Sequence, residues 1–419
     1  MSTKIWMGGI AAAAAHVLHI TPANVEEDDI FVVDLSDAYG RHSAITFTAT
    51  AANVANVTAG LHAAAVAAKA AGFLPWASVT SSDETTYQML TADASSVPYY
   101  ATCTATDGGV ADTQTLVATV ATEAAGPNTF PDGENYADGT DVAGSDDLVL
   151  GPAVTEAITA GRYTAAAIDT LIVEPGCSLN IGAAADGMPG YLELDLTGEA
   201  TRTVDFAGTG TCYLDLDGVA VFTVTDCGTA ASAGTYPLAF RGLNCEEFRF
   251  NPPGETNTAA IAPFAGDTAE VDHIYVTNGS LIVGANVTEA DGATAITSLA
   301  ASGGSVECHS LVITVTAQGT AEITYDAPGT TVTVTVWSGA TVTWAGTGTI
   351  TTLIVAGTFD TSGGSGTFTV TNCTVYAGAV INDPDGRMTL TNGIDRAGCA
   401  REDVTIVRPP DETETYTAI

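Results

Sequence analysis

The feature that most constrains this chain is a short motif that returns at a nearly constant spacing through its C-terminal part. An alternating apolar stretch runs into a turn around one glycine, and a second apolar stretch leaves it. The motif reads IVEPGCSLNI around Gly176, IYVTNGSLIV around Gly279, ITVTAQGTAEI around Gly319, VTVWSGATVTW around Gly339, LIVAGTFD around Gly357 and CTVYAGAVI around Gly378. Gly319, Gly339, Gly357 and Gly378 follow one another at nearly equal steps. Gly279 precedes Gly319 by two such steps, and Gly176 precedes Gly279 by close to five. A repeat period of about 20 residues is the mark of a solenoid coil. A unit of this length cannot bury its own apolar face, so it is stable only when stacked on its neighbours.

The physics of stacking then sets the fold. Each unit is expected to form one coil of two or three short strands, paired in parallel with the coils above and below at roughly 4.8 Å. Thr331–Val336 reads TVTVTV, the period-two alternation of a strand with one face inward. A glycine at the corner permits backbone angles that a side chain opposes. Residues 148–400 are expected to supply about 12 or 13 coils of an elongated parallel β-solenoid (β-helix), a rod of roughly 60 Å. The fold class is therefore mainly β, with a smaller α+β part at the N-terminus.

Composition agrees with short strands and tight turns rather than helices around bulky side chains. The chain has 44 Gly in 419 residues and is 46% hydrophobic but only 7% aromatic. Its charge is lopsided, 49 Asp and Glu against 11 Lys and Arg, for a net −38. Such a surface repels phosphate backbones and anionic bilayers, so neither nucleic acid nor membrane is an expected partner. The charge instead discourages edge-to-edge association of a large β surface. Eight cysteines lie at 103, 177, 212, 227, 245, 308, 373 and 399 with no CxxC pair. That spread fits neither a zinc site nor a small disulfide framework, and buried free thiols are the expectation.

Ahead of the repeat, residues 1–20 read as an N-terminal arm. Lys4 followed by an apolar run imitates a signal peptide, but the run is shorter than a membrane span and meets His16 and His19, so export by this route is not expected. Residues 21–125 read as an α+β docking module. A hairpin is expected over 30–35 and 44–49, a helix over 53–71 closed by Gly72 and Pro75, and strands over 76–80, 87–91, 99–105 and 114–121. Residues 126–147, rich in Gly, Pro, Asp and Asn, read as an acidic linker. Residues 401–419 read as a C-terminal tail.

Chemistry-bearing residues are present without forming a recognisable constellation. Asp195, Asp205, Asp215, Asp217, Glu246 and Glu247 could offer the paired carboxylates of glycan cleavage, yet solvated outward positions explain them as well. Trp337, Trp344 and Tyr325 are the one tight aromatic group and read as core or subunit-contact residues. Asp132, Asp138 and Asp141 in the linker do not follow EF-hand spacing and read as a solvated acidic turn. None of the six histidines sits in a catalytic signature, and no GxSxG elbow occurs; His16 and His19 could share a metal only weakly. The TxT pairs at 331–333 and 349–351 do not recur coil after coil, which argues against an ice-binding face. No residue is nominated as catalytic, cofactor-binding or metal-ligating, no cofactor is expected, and the chain is not expected to be an enzyme.

The stretches IWMGGIAAAAAHVLHITPANVEEDDIFVVDL, ITFTATAANVANVTAGLHAA and LTADASSVPYYATCTATDGGVADTQTL, with the GPN that opens the linker, resemble the opening of a group of uncharacterised phage and prophage-region proteins. There the same module precedes a long Thr/Gly-rich β region of virion type. The likeness covers residues 5–128 and is only general beyond; the linker departs from it, carrying TFPDGENYADG in place of a Trp-containing segment. The resemblance implies virion structure, assembled in the host cytoplasm, without fixing a location on the particle. Joined to the expected solenoid it gives an ordered set of readings: capsid decoration or a head fibre, then a tail fibre or receptor-binding protein, then a tailspike-type polysaccharide-degrading enzyme, then a cell-surface adhesin, which would require export. A slender rod of one chain gains little burial for its length, so a homo-oligomer closed by cyclic symmetry is expected, a trimer by analogy with phage fibres, with a major capsid or other virion protein as partner and a host surface glycan as a further candidate.

Overall fold

The computed structural model describes residues 3–409 apart from 9–10, 40, 96, 109–112, 127–128, 131, 154–156, 164–167, 186–187, 197–201, 233 and 290–293. About half of the chain is strand and 7% helix, and the C-terminal part is a parallel β-solenoid of about 11 turns spaced about 21 residues apart. At roughly 4.8 Å per turn the rod is a little over about 50 Å long.

The repeat is visible as columns of in-register side chains. On one face, Leu148, Leu171, Val204, Phe222, Phe248, Ile274, Leu299, Val315, Val334, Leu353, Cys373 and Ile394 stack directly over one another. All of them belong to one continuous buried cluster. Neighbouring positions in each strand point outward, giving the alternating burial of Thr170–Val173, Ser280–Val283 or Thr341–Trp344. The outward positions form ladders of their own: Thr330, Thr349, Thr369 and Thr389 are in-register partners on successive coils. Threonine therefore does recur coil after coil over four turns, because the recurrence is set by register rather than by adjacent TxT pairs. Cross-strand Thr pairs of this kind stabilise a sheet modestly.

Gly279, Gly319, Gly339, Gly357 and Gly378 all lie at the same corner, between the strands of that face and the strands that follow. The reason differs by position. Gly339 has φ of 88°, and an added Cβ would lie 2.5 Å from the Gly319 carbonyl oxygen of the coil below. Gly357 needs no left-handed backbone, but a Cβ there would collide with the Trp337 carbonyl oxygen. The double step between Gly279 and Gly319 holds one more corner, at Gly304, with φ of 72°. From Thr170 to His273, however, the chain makes four coils rather than five, through partners Thr203, Val221 and Glu247. Coil length varies here: the step from Thr170 to its partner Thr203 is twice that from Ser298 to its partner Thr314. The extra length in the first case accommodates an antiparallel excursion, Ala183–Ala185 with Met188–Gly190.

The N-terminal module holds a four-stranded antiparallel sheet in the order Val79–Asp83, Gln88–Ser95, Ala15–Ala23, Thr115–Thr122, and a three-stranded sheet in the order His42–Thr48, Ile30–Asp37, Tyr99–Thr106. The helix Val54–Ala70 is capped by the Asn53 side chain, which accepts from the Asn56 N–H at 2.9 Å. It ends where Gly72 takes φ of 75° and donates to the Lys69 carbonyl, the expected glycine stop. Val57, Leu61 and Ala65 of its buried face join Phe31, Val33 and Leu35 in a second core. Trp76 opens a 3₁₀ turn rather than a strand, because its buried indole donates to the Ser43 carbonyl at 2.8 Å.

Two stretches behave differently from their composition. Residues 1–20 are not a separate arm: Thr3–Ile5 pairs in parallel with Asp147–Leu150 as the first rung of the solenoid, and Ala15–Ala23 is an inner strand of the four-stranded sheet. The described residues of the stretch 126–147 pack as a lid on the first coil. Its Phe130, Tyr136 and Val142 are buried in the solenoid's own cluster together with Trp6. The Trp6 ring centroid lies 5.4 Å from that of Tyr136 and 6.5 Å from that of Phe130. At the other end the solenoid reaches past residue 400, since Thr405–Val407 pairs with Val380–Asn382.

Candidate functional site

A surface groove of about 910 Å³ lies on another face of the rod. Leu192–Asp195 reads LELD and Cys212–Asp217 reads CYLDLD, so leucines point inward and carboxylates outward. Register then superimposes them: Glu193 on Asp215, and Asp195 on Asp217. In the next coil the register slips between Gly242 and Cys245. Gly242, Leu243 and Asn244 all take positive φ there, and a Cβ on Gly242 would collide with the Leu216 carbonyl oxygen. This bulge turns the chain away and leaves the groove, whose further wall carries Thr268, Glu270, Asn286 and Thr288.

Charges in and beside the groove are partly compensated. The Arg241 Nε donates to Asp215 at 2.6 Å, and its Nη1 lies 3.4 Å from Asp267. The guanidinium sits 4.2 Å above the centre of the Tyr191 ring, whose hydroxyl donates to Asp267 at 2.6 Å. Burial, then the bond to Asp267 and its charge, hold the Tyr191 phenol well above its usual range. Burial, followed by the charges of Asp195 and Asp215, raises the Asp217 carboxyl above its ordinary value.

Of the carboxylates singled out in the sequence, the groove gathers Asp195, Asp215 and Asp217. Asp205 belongs to the other face, in register with Ile172 and Thr223, and Glu247 accepts from Arg249 at 2.9 Å. Composition and spacing do not mark Glu193, Glu270 or the Arg241–Tyr191–Asp267 set. The signal for the first was available: ELD at Glu193 and DLD at Asp215 recur one coil apart. Glycan cleavage requires two carboxyl groups flanking the scissile bond. Here the in-register pair lies side by side along one wall, no aromatic residue lines the groove among the described residues, and Asp215 is held by Arg241.

The other candidates disperse. Tyr325 and Trp344 stack inside the core with centroids 4.2 Å apart, whereas Trp337 stands 43% exposed near Tyr376, which is 42% exposed. His16 and His19 project to opposite faces of their strand; His19 stacks on Tyr87 with centroids 4.0 Å apart. His62 bonds Ser81 at 3.0 Å and His273 bonds Ser298 at 2.9 Å. In the lid, Asp132 accepts from the Gly126 N–H, Asp141 from the Gly133 N–H, and Asp138 from Lys4 at 2.6 Å. Lys4 and Thr140 hold the Asp138 carboxyl down to about 2. These acids therefore organise the lid rather than decorate a solvated turn. All eight cysteines are free thiols; burial pushes Cys103 up to about 11 and Cys227, Cys245, Cys308 and Cys373 up to about 12. Among the described residues no group of three or more His, Cys, Asp or Glu is placed to hold a metal ion, and no helix is long and apolar enough to cross a membrane.

No family model, curated protein or solved structure matches the chain.

Proposed function

We propose that the chain is a non-enzymatic structural protein of a phage virion, a capsid decoration or head fibre in which the N-terminal module docks and the solenoid projects. The observation that carries the mechanical part is the joint. Thr3–Ile5 is hydrogen-bonded as the first rung of the rod, and the same chain then enters the module sheet at Ala15–Ala23. A module tied in this way through backbone bonds and a shared aromatic lid transmits orientation to the rod, as a spacer or fibre requires. The assignment to a virion rests on the resemblance of residues 5–128 to phage and prophage-region proteins. Exposed Trp337 and Tyr376 lie on one corner of the rod, two coils apart, with centroids 6.5 Å apart. That apolar ridge suits lateral contact between copies, which cyclic symmetry closes.

One observation favours a tailspike-type glycan-cleaving alternative: the groove with Asp195 stacked on Asp217. Two experiments separate the readings. Imaging of intact particles is expected to place the protein on the head lattice. Incubation with host surface polysaccharide is expected to leave the glycan length unchanged. Shortening that Asp217→Asn abolishes would replace the structural reading with the enzymatic one.

A further inference from the structure

One face of the rod changes from charged to uncharged part-way along its length. In its earlier coils, one outward column carries Glu247 and His273, and the neighbouring column carries Asp205, Arg249 and Tyr275. Beyond His273 the first column continues as Ser298, Thr314, Thr333, Thr352 and Asn372. Beyond Tyr275 the second continues as Ala300, Thr316, Thr335, Ile354 and Thr374. Neither run holds a charged residue, and charge returns only at Asp395, the partner of Thr374.

The strand Pro328–Val336 carries this uncharged region around a corner. Val332 and Thr333 both lie outward there, between buried Thr331 and Val334, and Val332 is 44% exposed. On the far side of the corner runs the ladder Thr330, Thr349, Thr369 and Thr389; on the near side stand Trp337 and Tyr376. The same coils are not uncharged all round. Another face carries Glu322 in register with Thr341, and Glu307 and Asp360 in a column with Thr324 and Thr343.

Charge decides what can cover the uncharged flank. With 49 Asp and Glu against 11 Lys and Arg, two copies repel wherever their outward carboxylates meet, and like charges facing one another strongly disfavour an interface. A basic partner is drawn instead to the faces that carry carboxylates. A second copy also shares the coil spacing of roughly 4.8 Å, so threonine rows on one rod can seat between rows on the other. Five coils at that spacing span about 24 Å, and the chain from Thr330 to Trp337, at about 3.3 Å per residue, spans about 23 Å. Two such flanks together cover roughly 1,100 Å², above the about 1,000 Å² that a specific interface needs.

We propose that this uncharged flank, from Ser298 to Thr374, is the surface through which copies of the chain meet, with Trp337 and Tyr376 as its aromatic anchors. The inference rests on the lateral contact in the preceding reading and not on its virion setting.

The test uses the full chain and follows Trp337 by fluorescence, because Trp6, Trp76 and Trp344 are buried. Acrylamide quenching is measured as the protein is diluted from assembled to dissociated concentrations, with sedimentation giving the oligomeric state at each point. Trp337 is expected to be shielded in the assembly and quenched after dissociation. Thr333→Asp combined with Thr352→Asp is expected to raise the dissociation constant by about 100-fold or more. Thr324→Asp combined with Thr343→Asp adds the same charge to the carboxylate-bearing face and is expected to change it by about threefold at most. Should the first pair unfold the chain, Trp337→Ser at its exposed site replaces it, with an expected weakening of about tenfold or more. A chain that stays monomeric, Trp337 quenched equally in assembly and monomer, or equal effects of the two Asp pairs would each overturn the proposal. None of these outcomes bears on where the protein sits on a particle, which imaging decides, so the two readings fail separately.

Discussion

Replacing Arg387 by Met is expected to unfasten the C-terminal coils while leaving the rest of the rod intact. Arg387 is 4% exposed and threads its guanidinium through the interior of a corner. It donates to the carbonyls of Gly366 at 2.6 Å, Trp344 and Thr361 at 2.7 Å, Ala345 at 3.1 Å and Gly346 at 3.4 Å. These acceptors belong to successive coils, so one side chain ties them together. Its own backbone N–H donates to the fully buried Asp383 at 2.8 Å. Removing one member of such a buried charged network costs about 3–5 kcal/mol, since each orphaned carbonyl loses about 1–3 kcal/mol and relaxation recovers part. For a unit of roughly 150–250 residues, about 2–4 °C per kcal/mol converts this into a melting shift of roughly 6–20 °C. Energies in a solenoid couple mainly to nearest neighbours, so the loss should be local. Hydrogen exchange is the assay: amides of Thr347–Val355, Phe368–Val375 and Met388–Leu390 should lose protection, and those of Thr203–Phe206 and Val221–Val224 should not. Gly364→Ala offers an independent version, because its Cβ would collide with Arg387 Nη1. Unchanged melting and exchange in both variants, or a uniform loss along the rod, would refute the reasoning.

The carboxyl of Asp217 is raised in the folded state, so it binds its proton more tightly there than in the unfolded chain. Stability from this group is then present at low pH and lost as pH rises through the interval above the ordinary carboxylate value. Asp217→Asn is therefore expected to raise the melting temperature at neutral pH, with the gain shrinking toward about pH 4, as a series of thermal melts would show. A net charge of −38 predicts that the melting temperature of the assembled protein rises with added salt, as screening acts within about 8–10 Å; a flat or falling trend contradicts it. Native mass measurement is expected to give a homotrimer, and a monomer at micromolar concentration would remove the lateral-contact argument built on Trp337 and Tyr376.

The solenoid was legible where its coils are regular. Between Val312 and Val380 the steps are close to the mean, the corner motif repeats with little variation, and every glycine named there lies at the expected corner. Earlier coils kept the physical rule but lost the spacing. An insertion such as 183–190 leaves the stack and returns without disturbing register, so counting residues overestimates the number of turns. The acidic groove was half legible for a related reason. Alternation tells which carboxylates point outward, but only register tells which ones meet, and register depends on coil lengths that composition does not fix. The joint was the least legible part. A Gly, Pro and Asp-rich stretch has the composition of a linker whether its few aromatic residues are exposed or buried. Phe130 and Tyr136 gain their role from Trp6, which lies near the opposite end of the module in sequence.

The joint also bears on how copies of the rod can associate. An open solenoid end presents unpaired strand edges and an apolar cross-section, which invites end-to-end growth. Here the inward column terminates below Leu148 in Lys4, a residue that no further apolar coil can stack on without stranding a charge. Lys4 is 4% exposed, with its ammonium directed to Asp138 and to the carbonyl and hydroxyl of Thr140 in the lid. The ion pair is thus both a cap and a stop: it satisfies the last rung and sets a cost against adding another. With that end closed, and module strands beside it, the long flanks are the free surfaces that remain over most of the rod. Their outward Thr ladder over four coils and the Trp337–Tyr376 ridge lie along the axis, so a parallel rod can meet both over this stretch. Association side by side is therefore expected to gain burial over these coils, whereas adding a coil at the lidded end would strand the Lys4 charge.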